Sequence, residues 1–184
     1  MKRTTLTLLI LLAGASAPLG IRQASAQAAA PGAELDQAAF FIGNWNCTGK
    51  TFADGNTSEH ATTGRAHGEK AVDGHWIHMA YDESRTTANP HPYHVAQYTG
   101  YDAAKKQYVN LVVDISGNYN IERSAGLKGD AMTFDGAYES NGHSVAMRDT
   151  FTKSGANQMM HTGTQQGSNG QWAKTDEETC GKTR

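Results

Sequence analysis

Histidines, carboxylates and arginines are the residues through which this chain could do chemistry, and their spacing favours binding over catalysis. Eight histidines are present. His91-Pro92-Tyr93-His94 is a compact pair with His75 and His78 just upstream, so four imidazoles could gather at one rim as metal ligands. In an extended strand, however, positions 75 and 78 point to opposite faces, so we read solvated loop histidines and assign no metal. Asp114, Glu122, Arg123, Arg148 and Asp149 could act as acid, base and anion clamp. Charges on strands more commonly pair across the sheet. The chain has no Gly-x-Ser-x-Gly elbow, His-Glu-x-x-His pair, phosphate-binding glycine loop or dinucleotide fingerprint. An enzyme is therefore the lesser expectation, and no cofactor is assigned.

The elements that must position these groups read as strands. Runs centred on 45–52, 58–69, 75–83, 93–101, 107–115, 119–124, 131–137, 144–153, 158–164 and 172–180 alternate in polarity or are rich in β-formers. Asp54-Gly55-Asn56, Asp73-Gly74, Ser116-Gly117-Asn118, Gly129-Asp130, Asn141-Gly142, Ser154-Gly155 and Ser168-Asn169-Gly170 separate them, and such residues accept the positive φ of tight hairpins. Glu34 to Phe41 alone has a helical look. Consecutive hairpins predict an up-and-down antiparallel meander of about ten strands, and closing it into a barrel removes two sticky edges.

Cys47 and Cys180, the only cysteines, stand at opposite ends of this region and predict a disulfide. A bridge there brings the first and last strands together, as barrel closure does.

Compartment follows from the start of the chain. Met1-Lys2-Arg3, an apolar run from Leu6 to Gly14 and small residues at Ala24-Ser25-Ala26 or Ala26-Gln27-Ala28 read as a cleavable export signal over residues 1–28. Residues 29–33 read as a flexible leader, and 34–184 as one barrel domain. The expected location is periplasmic or secreted. The formal charge of −2 becomes more acidic once Lys2, Arg3 and Arg22 leave with the signal, and no Lys/Arg cluster remains to favour nucleic acid. No later apolar run has the roughly 20 residues of a membrane span.

Phe40-Phe41-Ile42-Gly43-Asn44-Trp45-Asn46-Cys47 resembles the Gly-x-Trp opening of lipocalin-like (calycin) barrels. With Val72-Asp73-Gly74-His75-Trp76, Gly100-Tyr101-Asp102, Tyr108 through Gly117 and the strand around Arg148, it resembles an uncharacterised family of secreted bacterial proteins with that barrel. The resemblance implies that Gly43 and Trp45 close one barrel end, with a basic side chain stacked on the indole. A related group of ten-stranded barrels binds haem through a late histidine, for which His143 and His161 are the available residues.

Alternation splits each strand into an apolar and a mixed face without saying which points inward. If the mixed faces do, Trp76, His78, Tyr98, Asp114 and Arg148 line a cavity for a small, partly apolar or amphipathic ligand. If the apolar faces do, the barrel is a packed structural or interaction module. Ligand binding is the leading expectation, with a haem or metal binder and a small barrel enzyme behind it.

Overall fold

The computed structural model describes residues 32–53 and 57–183. The export signal at 1–28, most of the 29–33 leader and the Asp54-Gly55-Asn56 turn lie outside the described residues. Ala33–Phe41 is a 3-10 helix. Its buried residues are Leu35, Ala38 and Phe41, spaced by three, which is one face of a helix with three residues per turn. That spacing selects the tighter helix over an α-helix.

Apart from a second 3-10 turn at Val72–Gly74, the remaining elements are strands: β1 (Gly43–Thr51), β2 (His60–Ala71), β3 (Trp76–Glu83), β4 (His94–Asp102), β5 (Gln107–Asp114), β6 (Tyr119–Ser124), β7 (Leu127–Lys128), β8 (Ala131–Ser140), β9 (His143–Lys153), β10 (Gln158–Gln166) and β11 (Trp172–Lys182). Each strand from β1 to β6 pairs antiparallel with the next, as do β8 to β11. β1 pairs with β11 and β6 with β8, so ten strands close into a barrel. β7, which the sequence reading did not separate from its flanking turns, adds a two-residue ladder to β8. Hairpin chemistry sets the register: Asn141 and Gly142 take φ of 51° and 79° between the paired Ser140 and His143.

Cys47 and Cys180 face each other across the β1–β11 seam and are bonded. Below them the barrel is closed and apolar. Phe41, Trp45, Ile77, Tyr108, Met132, Phe134, Phe151 and Met159 are buried in one cluster. The 3-10 helix seals this end: Trp45 Nε1 donates to the Phe41 carbonyl at 3.2 Å and the Tyr108 hydroxyl donates to the Glu34 carbonyl. Lys182 Nζ stands 5.0 Å from the centre of the Trp45 ring. Gly43, just before Trp45, has φ 130° and sits against the Lys182 side chain.

Candidate functional site

Above the disulfide the inward positions become polar. Counting by twos from Cys180 along β11 reaches Glu178 and Asp176, and the same inward phase holds Tyr81 and Glu83 on β3 and Asn110 and Asp114 on β5. Asn120 and Glu122 on β6, Tyr138 on β8, Met147 and Asp149 on β9 and His161 on β10 complete it. No Lys or Arg occupies these positions.

Glycines on the same phase make room for the larger groups. A Cβ on Gly64 would meet the Tyr81 ring at 2.6 Å, and one on Gly163 would meet Asp176 Oδ1 at 2.3 Å. A side chain at either glycine would therefore push Tyr81 or Asp176 out of its present position.

His161 is the hub. Its Nε2–H donates to Asp149 Oδ1 at 3.0 Å and its Nδ1 lies 3.0 Å from Asp176 Oδ2, while its ring stacks on Phe151. Burial alone would lower its pKa, but the two carboxylates hold it well above the usual histidine value, so it is an imidazolium. Burial would likewise raise Asp176, yet His161 and a Thr175 hydroxyl at 2.9 Å keep it below the ordinary range.

Glu122 is fully buried, and desolvation together with the neighbouring Asp149 charge pushes its pKa up to about 9. Burial beside Asp149 therefore favours its protonated form. Asn110 and Asn120 donate to its two oxygens at 3.2 and 3.1 Å, and Thr99 anchors Asn110 at 2.9 Å. A separate arm joins Tyr81 and Thr62, which both donate to Glu178 Oε1. At the rim, Asp114 Oδ2 accepts from Tyr138 at 2.9 Å and from Tyr93 at 3.2 Å. Its pKa lies below the usual value, because the bonds from Asn118, Tyr138 and the Ser116 N–H outweigh burial. Tyr138 is correspondingly raised to about 12, by burial and by Asp114.

The network keeps some water contact at two of its members. The His161 side chain points into the barrel and is still 20 % exposed, and Asp176 beside it is 28 % exposed. The upper half is thus an acidic cup, water-accessible at His161 and Asp176, over an apolar floor. Its groups can accept hydrogen bonds, offset positive charge and hold a proton on His161.

Of the residues expected to line a cavity, Asp114 faces inward at the rim. Trp76, His78 and Tyr98 alternate with buried Ile77, Met79, Gln97 and Thr99 and so stand on the outer wall, where His78 stacks on Tyr98 at 4.7 Å. Arg148 is also outside, paired with Asp135 at 2.6 Å and 4.7 Å from the centre of the Trp172 ring. The mixed face of β3 is the outer one because the barrel curves the other way. Of the five charged residues weighed for catalysis, Glu122 and Asp149 meet, whereas Arg123 follows the inward Glu122 and points out. The four clustered histidines disperse: His94 bonds Asp82 at 2.8 Å, His91 is an exposed loop residue and His75 follows the turn at the closed end.

His161 does not suit haem ligation, since both ring nitrogens already engage carboxylates, and His143 is exposed at a hairpin. The sequence reading missed Tyr81, Glu83, Asp176, Glu178 and His161 as one group. The signal was the cysteine phase: stepping by two from Cys180 reaches both acids.

The barrel is similar to the crystal structure of Rv2717c from M. tuberculosis, at 11% identity and a TM-score of 0.65, over 84% of this chain and 99% of that one. A redesigned β-barrel covers 80% of this chain and 96% of its own at 14% identity and a TM-score of 0.42. No curated protein matches the chain. Residues 30–180 match the family described as "Protein of unknown function (DUF1579)", and the chain belongs to that family.

Proposed function

We propose that this protein is an exported small-molecule-binding barrel whose ligand enters the acidic cup and presents hydrogen-bond donors or positive charge to it. The observation that carries the reading is the inward cluster of His161, Asp149, Asp176 and Glu178, water-accessible at His161 and Asp176, with no Lys or Arg among it. Closed barrels of this strand number commonly hold one small guest. The cup amends the expected ligand: its walls are polar, and the apolar residues below are packed against one another. Tyr81 and Tyr138 supply aromatic surface beside the acids, which suits a cation. Export is supported by the disulfide. No helix among the described residues is long and apolar enough to cross a membrane.

A titration of labelled protein with small amines and uncharged polar solutes, followed by amide and side-chain NMR shifts, tests the reading. Saturable shifts are expected at Tyr81, Tyr138, Met147 and His161, and are lost in Asp176→Asn. Shifts confined to the outer wall around Trp76 and Tyr98, or none that saturate, would refute it.

A further inference from the structure

We propose that His60 and Glu83, at the rim of the cup, form a site for a divalent transition-metal ion such as zinc. His60 Nδ1 lies 2.8 Å from the Ser58 carbonyl, which can only accept, so Nδ1 carries a hydrogen and Nε2 is the nitrogen left to take a ligand. Glu83 Oε2 accepts the Tyr93 N–H at 2.7 Å, which fixes that carboxylate and leaves Oε1 free. Glu83 Oε1 and His60 Nε2 are both buried, and neither has a hydrogen-bond partner. They face each other at 3.7 Å, with side chains only 4 % and 12 % exposed.

Opposed acceptor atoms in a buried site repel unless a ring proton or a cation lies between them. The separation is too long for a direct hydrogen bond, whose upper range is about 3.2 Å. It is near the roughly 3.4 Å that separates two ligand atoms on a tetrahedral ion with bonds of about 2.0–2.1 Å. The outer contacts also fit. A ligating imidazole characteristically donates its other N–H to a carbonyl, and a ligating carboxylate is itself hydrogen-bonded. Both arrangements are present here.

One imidazole with one carboxylate favours zinc and its neighbours over calcium or magnesium. Water completes the coordination. Among the described residues, a third protein ligand does not join the pair: the grouping of three close ligand atoms is Cys47, Glu178 and Cys180, whose sulfurs are bonded to each other.

The experiment uses the whole chain with its disulfide intact and without a histidine tag, stripped with chelator and titrated calorimetrically with zinc chloride alone. One equivalent is expected to bind. Affinity should fall about tenfold or more in His60→Gln and in Glu83→Gln, and stay unchanged in His94→Gln and His91→Gln. Thermal unfolding provides a second readout: zinc should raise the melting temperature of the wild type, and of neither rim variant. Absence of binding would overturn the site and leave a ring proton or a water between the two atoms. Binding that survives either rim substitution would also overturn it. No organic ligand is present, so failure here leaves the small-molecule reading untouched.

Discussion

Glu122 and His161 carry proton chemistry that acts on stability as well as on any guest. Glu122, raised to about 9, holds a proton that an unfolded glutamate releases near pH 4.3. The folded state therefore binds more protons between those values, and stability falls as pH rises through them. His161 has a raised pKa, so its contribution is complete below the unfolded value near 6.5 and is lost as pH rises through the folded one. Asp176, lowered, contributes above its unfolded value near 3.9 and loses that contribution as pH falls through its folded value. Glu122→Gln removes the first of these slopes while keeping a donor for Asp149. Urea unfolding at pH 5, 7 and 9 should show the wild type weakening toward pH 9 more steeply than the variant. Parallel curves would mean that Glu122 is ionised in the fold.

At the scale of elements, the β1–β11 seam is where chain ends become a closed wall. Cys47 pairs with Cys180 across a sequence separation of 133 residues, for which the chain-entropy model gives on the order of 5 kcal/mol less any strain. A Cys47→Ser, Cys180→Ser double variant is expected to melt well below the wild type while retaining its far-ultraviolet β signal. An unchanged melting temperature would show that the hydrogen-bonded ladder alone holds the seam. The strands were legible because hairpin residues such as Asn141-Gly142 recur between alternating runs. β7 was not, since two residues, Leu127 and Lys128, carry no period. The 3-10 form of the first element was legible only as a short helix. Its three-residue burial spacing emerges once Leu35, Ala38 and Phe41 are seen against the barrel floor.

The whole molecule separates its tryptophans by environment, which gives a check on inside and outside. Trp45 is buried at 3 %, Trp172 is 40 % exposed, and Trp76 lies on the outer wall over Gly100. With Trp76 and Trp172 replaced by Phe, the remaining emission should be blue-shifted and resist acrylamide. The converse Trp45→Phe protein should be quenched readily. Equal quenching of the two would contradict the inward phase of β1, and with it the cup.

The sequence by itself determined the class of fold, the hairpin order, the disulfide and the closure they imply, because these depend on local turn chemistry and on two cysteines. The tertiary structure decided which face of each strand is interior. A two-residue period is unchanged when the faces are exchanged, so Trp76, His78, Tyr98 and Arg148 were as eligible as Tyr81, Glu83, Asp149 and His161. Curvature breaks that symmetry, and it is a property of the closed sheet. Glycines such as Gly64 and Gly163 had to meet Tyr81 and Asp176 across strands before large polar groups could turn inward and find partners.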